Sequence, residues 1–220
     1  MAKDTQFDRI KKLLFTSVLS DSLDSVGLMS QAMSQRIRPL DDASVMVGRA
    51  RTGLYREVFH IEPKENPYEL EIALIDDLKP GQIPVLACGH SGKIAPWGEL
   101  LSTASKARGA AGCLTDGLTR DIKKIRAMDF PVFHAGIGPL DSKGRGKVVA
   151  IDVPVEVDGV KVESGDLVFG DADGVVVIPQ KLEKKVLKAA FEKVLGENRT
   201  LAALQKGEKL GTVFKRYGIL

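Results

Sequence analysis

Two cysteines in 220 residues, with no Cys-x-x-Cys spacing, leave no room for a disulfide scaffold or a cysteine-rich zinc site. Aromatic residues make up only 5% of the chain and include a single Trp, so the core must be aliphatic and stacked bases or sugars have few platforms. No run approaches the ~18 apolar residues that cross a bilayer, and Met1-Ala-Lys-Asp-Thr-Gln-Phe lacks an apolar signal region. A cytoplasmic protein is therefore expected, with Cys88 and Cys113 as buried free thiols inside apolar runs. The three histidines, His60, His90 and His134, have no ligand spacing. Gly-x-Ser-x-Gly and the phosphate-binding P-loop pattern are both absent. The one quasi-match to a dinucleotide loop, Gly136-Ile-Gly-Pro, runs into proline rather than a helix and reads as a turn. Together these absences argue against hydrolases with an elbow serine, zinc enzymes and nucleotide-binding folds.

The remainder describes an ordinary globular chain. Apolar residues account for 44% and charged residues for 28%, while 22 glycines imply frequent turns and close backbone approaches. Net charge is only +3, and it is uneven: residues 181–220 carry ten Lys or Arg against four Glu, the rest 22 against 25. Because Lys181-Leu-Glu-Lys-Lys-Val-Leu-Lys mixes signs at helical spacing, a solvated helix face is expected there, not an RNA-binding tail.

Periodicity gives helices at 5–15 and 18–27, with Ser20 or Asp21 available as a cap and Gly27 as a stop. A strand follows over 45–58, then a helix over 67–78. Short buried strands at 83–88, 111–115 and 130–135 alternate with helices at 98–108 and 119–127, the pattern of a parallel layered core. From 147 onward Val-rich segments at 148–157, 160–162, 166–169 and 175–178 are split by Asp-Gly and Gly-Asp pairs, which predicts hairpins. A helix from 181 to about 206 closes one α/β domain spanning 1–220.

Two segments could carry chemistry. A glycine-rich loop, Gly89-His-Ser-Gly-Lys, precedes a helix start near Gly98, where free backbone N–H groups bind carboxylates or phosphates. Glu99 then falls in the first turn, where the helix dipole alone would favour it, and Trp97 reads as packing. Asp116, Arg120 and Asp121 follow a buried strand, where open α/β sheets place their sites. An arginine fork suits a carboxylate or enolate and a carboxylate suits a hard cation; a capped helix start with surface charges explains the same residues equally well.

The motifs resemble the family that groups class II 4-hydroxy-4-methyl-2-oxoglutarate/4-carboxy-4-hydroxy-2-oxoadipate aldolases with regulators of ribonuclease E activity. They run in order along nearly the whole chain: Ser20-Asp-Ser-Leu-Asp-Ser-Val-Gly, Val47-Gly-Arg-Ala-Arg-Thr, Trp97-Gly-Glu-Leu-Leu-Ser-Thr-Ala, Thr115-Asp-Gly-Leu-Thr-Arg-Asp, Phe130-Pro-Val-Phe and Gly165-Asp-Leu-Val-Phe-Gly-Asp-Ala-Asp-Gly. The resemblance implies a β/β/α swivelling fold, a mixed sheet with a C-terminal helix, assembled as a homotrimer or homohexamer with sites between subunits. It implies a small-molecule 2-oxo acid as substrate, while the few aromatics, the missing RNA motifs and the short apolar runs predict no nucleic acid or membrane partner.

It also implies roles. Asp121 would be the sole side chain binding Mg²⁺ or Mn²⁺, and Arg120 would contact the keto oxygen and stabilise the enolate. The amides of Gly98, Glu99, Leu100 and Leu101 would cradle the pyruvyl carboxylate. Glu99, where some members have Asp, would order water at the metal. Glu197, from a neighbouring subunit, would supply a second acid–base group, and Asp116 and Gly117 would shape the loop below the metal. The implied reaction is retro-aldol cleavage to pyruvate, with oxaloacetate decarboxylation by the same enolate chemistry; the alternative is a non-catalytic protein-binding regulator. Loop residues such as His60 to Pro67, Lys93 and Arg145 would set specificity, and the long polar stretch Glu57–Tyr68 suggests a substrate different from those of the named aldolases.

Overall fold

The computed structural model describes residues 6–219; Met1–Thr5, and with them the start of the first expected helix, lie outside the described residues. Helices α1 (Gln6–Leu13) and α2 (Thr16–Asp24) precede the short strand β1 (Arg38–Pro39) and the long strand β2 (Met46–Glu57). Then follow α3 (Glu69–Asp76), β3 (Gln82–Ala87), α4 (Glu99–Ala107), β4 (Cys113–Thr115), β5 (Leu118–Thr119), α5 (Ile122–Ala127), β6 (Val132–His134) and β7 (Gly136–Ile137). The second half holds β8 (Gly146–Ile151), the hairpin β9 (Val155–Val157) and β10 (Val160–Val162), and the hairpin β11 (Leu167–Asp171) and β12 (Gly174–Ile178). A 3₁₀ turn leads into α6 (Glu183–Gln205), and α7 (Leu210–Tyr217) follows.

The main sheet runs β1-β6-β4-β3-β2-β11-β12, with β8 on the far half of β2. Strands β2, β3, β4 and β6 are parallel, joined by helical crossovers, whereas β11, β12, β8 and β1 pair antiparallel. A register shift between Leu54 and Tyr55 bends β2, so its first half pairs β11 and its second half β8. The sheet curls until its ends approach each other. Residues 31–33 bond along β12 (Met33 N–H to the Val175 carbonyl, 3.0 Å), and Arg38 on β1 donates to the carbonyls of Ala172 and Asp173.

Strand alternation sorts the apolar side chains into three bodies. Ile83, Val85, Ala87, Leu114, Phe133, Val168, Val175 and Val177 point inside the near-barrel, where the β9–β10 hairpin adds Val155, Val157, Val160 and Val162. Their strand neighbours point out. Leu86, Cys88, Cys113 and Val132 meet α3 and α5, and Leu167, Phe169, Val176 and Ile178 meet α1, α2 and α6. Gly170 is required by the interior, since a Cβ there would lie 2.8 Å from the Phe133 ring. Both cysteines are buried and unbridged, and burial pushes each thiol well up.

Several local expectations need correction. Helix 119–127 begins only at Ile122, because Thr119 bridges Trp97 and pairs with Ile137, and the Arg120 N–H is taken by the Trp97 carbonyl (2.9 Å). For the same reason Gly136-Ile137 is a strand, β7, parallel to β5, and not a turn. The expected strand 148–157 breaks at Asp152, whose φ is +56°, and Pro154, which has no N–H for a ladder. Ser20 and Asp21 lie inside α2 and cap nothing. That helix starts at Thr16, whose N–H and hydroxyl both bind Asp171 (N–H to Oδ2, 2.9 Å). Neither α7 nor β1 was expected. As anticipated, α6 carries mixed charges in i,i+4 pairs, Lys188–Glu192 and Lys193–Glu197. Among the described residues no helix is long and apolar enough to cross a membrane.

Candidate functional site

Trp97 joins the two chemically informative segments. Its indole is fully buried, stacks on Phe130 at 6.3 Å and donates Nε1–H to Ser102 Oγ at 2.8 Å. Its backbone bridges Thr119 and accepts the Arg120 N–H. The start of α4 and the Arg120-Asp121 link are thereby fixed side by side, beyond the carboxyl ends of β3 and β4.

Arg120 is not on a helix. It sits in the extended link between β5 and α5, and Asp121 caps α5 in the left-handed region (φ +59°). That turn brings adjacent residues, which would diverge on a helix, into one cleft. The Arg120 Nε lies 3.8 Å from Asp121 Oδ2 and its Nη1 3.7 Å from Asp141 Oδ1. Asp121 Oδ2 also accepts the Glu99 N–H at 3.1 Å. Gly98 makes this approach possible, because a Cβ there would stand 2.6 Å from Asp121 Oδ2 and 3.2 Å from Arg120 Cγ.

The cleft, of about 520 Å³, is lined by Gly98–Leu101, Arg120 and Asp121 on one part and by α3 and the 139–145 loop on the other. The structure therefore brings Gly98, Glu99, Leu100, Leu101, Arg120 and Asp121 to one cleft, but the Glu99 N–H, expected in the carboxylate cradle, is taken by Asp121. The amides of Leu100 and Leu101 belong to the first turn of α4, where no intrahelical carbonyl is in reach. The Leu100 side chain is 80% exposed, and Glu99 meets Lys124 Nζ at 3.8 Å.

Glu197 is not in this cleft. It lies on α6 beside Lys193, which also pairs with Asp21 of α2. Asp116 is buried below, not at the surface of the site. Its Oδ1 accepts the Cys88 N–H at 2.5 Å and its Oδ2 the His90 N–H at 3.3 Å, which ties down the glycine-rich loop. Burial pushes its carboxyl up. Gly117 fits only because a Cβ would lie 2.9 Å from both Cys88 Sγ and Pro96 Cδ. Of the Glu57–Tyr68 stretch, Tyr68 alone lines the cleft; Lys93 does not, and Arg145 holds the Asp141 carbonyl at 3.1 Å.

Several lining residues were not read from the sequence as site residues, the polar ones being Glu71, Asp141 and Ser142. Tyr68 donates to Asp141 Oδ2 at 2.8 Å, and Tyr55 donates to the buried Glu71 carboxyl. Burial pushes Glu71 up to about 7; the nearby Asp141 charge adds to this, while Tyr55 and Arg120 oppose it. Partial burial raises Asp141, but the Tyr68 hydroxyl, backbone N–H groups and Arg120 outweigh it and hold the carboxyl below the usual range. Burial, with Asp141 as acceptor, pushes Tyr68 up to about 12.

Among the described residues no cluster of three or more His, Cys, Asp or Glu could hold a metal. A structural, protein-caged ion therefore does not fit. A hard cation that keeps waters and substrate oxygens does fit, since it needs only one or two carboxylates. The Asp121 carboxylate, given room by Gly98 and half exposed to the cleft, meets that requirement.

The sequence model of the RraA-like family, Aldolase/RraA, matches residues 16–177. The chain belongs to this family. A Halalkalibacterium halodurans protein provisionally named 4-hydroxy-4-methyl-2-oxoglutarate aldolase is 34% identical over 189 residues, 86% of this chain and 82% of its own. The Legionella pneumophila protein DlpA is 29% identical over 194 residues, which cover 87% of this chain but 30% of DlpA. Among solved structures, an uncharacterized protein of Pseudomonas syringae pv. tomato matches with TM-score 0.82 and 28% identity, covering 94% of this chain and 95% of that one. Streptomyces coelicolor RraAS2, described as an unusual member of the RNase ES inhibitor RraA protein family, matches with TM-score 0.78 and 25% identity over 91% and 98%. These neighbours share the mixed α/β domain with its near-barrel sheet and C-terminal helix.

Proposed function

We propose that this chain is a divalent-metal-dependent lyase that cleaves a 4-hydroxy-2-oxo acid to pyruvate in the Arg120 cleft. One observation carries the reading. The Arg120 guanidinium is held between Asp121 and Asp141 in the same cleft that the first-turn residues Leu100 and Leu101 of α4 line, so a cation lies beside a helix N-terminus. The aldolase-named relative supports it.

The carboxylate of a 2-oxo acid is placed at the amides of Leu100 and Leu101, where the helix start favours an anion. Arg120 then stands at the keto oxygen. When the C3–C4 bond breaks, its electron pair forms the C2–C3 double bond and negative charge gathers on that oxygen. Arg120 stabilises this charge more in the transition state than in the substrate. The C4 hydroxyl loses its proton as the carbonyl product forms, and C3 of the enolate takes a proton to give pyruvate. Glu99 at the rim, or Glu197 of a second copy in a closed trimer or hexamer, handles these protons. A Mg²⁺ or Mn²⁺ ion on Asp121, when bound, supplies a further positive charge for the oxygens of the 2-oxo acid. Oxaloacetate would lose CO₂ through the same enolate.

A second reading rests on the likeness to RraAS2: a protein-binding regulator without catalysis. Pyruvate release from a panel of 2-oxo acids with Mg²⁺ or Mn²⁺ separates the two. The lyase releases pyruvate from at least one acid and EDTA abolishes it; a panel without pyruvate leaves the regulator.

A further inference from the structure

The backbone of Arg120 is fixed by the Trp97 carbonyl, but its side chain is 36% exposed and carries the planar fork on a long, flexible stem. Other segments of the same chain converge on that fork. Gly98 lies against the stem, where a Cβ would stand 3.2 Å from Cγ and 3.3 Å from Nε. The Leu140 carbonyl accepts from Nη1 at 3.4 Å, and Asp141 sets its Oδ1 3.7 Å from the same Nη1. The second oxygen of that carboxylate, Oδ2, accepts the Tyr68 hydroxyl at 2.8 Å. Tyr68 is anchored at the start of α3: its carbonyl accepts the Ile72 N–H at 2.8 Å, and its own N–H is taken by Asn66 Oδ1 at 3.1 Å. Asp141 is held from behind as well, since Arg145 donates to its carbonyl at 3.1 Å and the Ser142 and Lys143 N–H groups serve its carboxylate.

Tyr68, Asp141 and Arg120 therefore form a line of contacts within one chain. Asp121 also faces the guanidinium, through Nε at 3.8 Å, but the lyase reading engages that carboxylate with a cation. Asp141 then remains as the carboxylate of this chain paired with Arg120. Its charge acts on the reaction in two opposed ways. It offsets some of the positive potential at the keto oxygen, and it holds the fork in one direction. A half-exposed carboxylate is screened by water, so the offset is small. A reacting group displaced by about 1 Å costs about 10²-fold, so direction outweighs it.

We propose that Asp141, itself oriented by Tyr68, is a positioning residue that aims the Arg120 fork at the keto oxygen of the 2-oxo acid. The proposal rests on the lyase reading and gives α3 and the 139–145 loop a part in the reaction. It applies to substrates with one or two carboxylates alike, because the 2-oxo group is common to both.

The test reads pyruvate release by the full-length protein with Mg²⁺, from a panel of 2-oxo acids that includes 4-hydroxy-4-methyl-2-oxoglutarate and oxaloacetate. On the acid cleaved fastest, Asp141→Asn should lower kcat about tenfold while KM changes by less than about twofold, the pattern of an interaction made chiefly in the transition state. Tyr68→Phe keeps the ring and frees the carboxylate, and should lower kcat about threefold with the same unmoved KM. Both losses should vanish in an Arg120→Ala background, to within about twofold, because residues that act through one group are not additive. Cooperative thermal melting checks the fold of each variant, and Tyr68→Phe decides alone if Asp141→Asn fails to fold. Losses of equal size with and without Arg120 overturn the positioning role and leave the lyase standing. So does a kcat that rises in Asp141→Asn, or one unmoved by both substitutions. Pyruvate from no acid of the panel removes the lyase reading and this inference with it.

Discussion

At the scale of single residues, the site depends on side chains whose surroundings fix their charge. Asp121 holds its carboxylate in the cleft through a left-handed backbone and a hydrogen bond from Glu99. Asp121→Asn keeps that shape and loses the charge. It should abolish metal-dependent pyruvate release while the melting temperature moves by no more than a few degrees, as for an exposed substitution; unchanged turnover would contradict the role. Glu71 makes a different prediction. Burial raises its carboxyl from the usual 4.5 to about 7, so the native state holds this proton more tightly than the unfolded chain. The associated stability is fully present below about pH 4.5 and is lost as pH rises through about 7. Urea unfolding of wild type and Glu71→Gln at pH 5 and pH 8 should show the gap shifting by about 2–3 kcal/mol in favour of the variant at the higher pH. A gap independent of pH would contradict the buried carboxyl. Arg120 and Asp121 were legible in the sequence because they follow a buried strand and sit within a long motif. Glu71 and Asp141 were not, because only the packing of α3 and the 139–145 loop against the cleft brings them there.

At the scale of elements, the joint between α4 and the β5–α5 link decides the geometry. The sequence showed the buried strands and most helices, since periods of two and 3.6 are properties of the local chain. It misplaced the start of α5, because the bridge from Thr119 to Trp97 is a tertiary pairing that overrides local helix propensity. It also missed α7, a short helix packed on α6, and β1, whose pairing partner β6 is distant in sequence. The joint is testable at Gly98. Gly98→Ala would place a Cβ 2.6 Å from Asp121 Oδ2, so the carboxylate must shift. The expected outcome is a loss of kcat of about 10²-fold or more, the scale of a misplaced reacting group, with cooperative unfolding retained. An alanine variant as active as wild type would show that this close approach is not needed.

At the scale of the whole molecule, the near-barrel carries the cleft on one flank and α6 on another. Leu195 and Leu201 are exposed on α6 on either side of Glu197 in sequence, and Leu210 and Phe214 are exposed on α7. A second copy covering this face would bury those side chains and deliver Glu197 to a neighbour, so light scattering should give a closed trimer or hexamer rather than 23.8 kDa. A monomer at working concentration would remove Glu197 from the reaction and leave Glu99 as its acid–base group. The sequence resemblance could name Glu197 but not place it, because no periodicity in one chain records the surface of another. In the proposed reaction Arg120 stabilises charge developing on a 2-oxo acid in a metal-dependent cleavage. Steady-state pyruvate release by wild type and Arg120→Lys, each with and without EDTA, tests it most directly. Lysine keeps the charge but loses the planar fork, so kcat should fall by about 10²-fold while KM changes little, and EDTA should abolish the activity of both. A near-silent Arg120→Lys, or turnover indifferent to EDTA, would contradict the account.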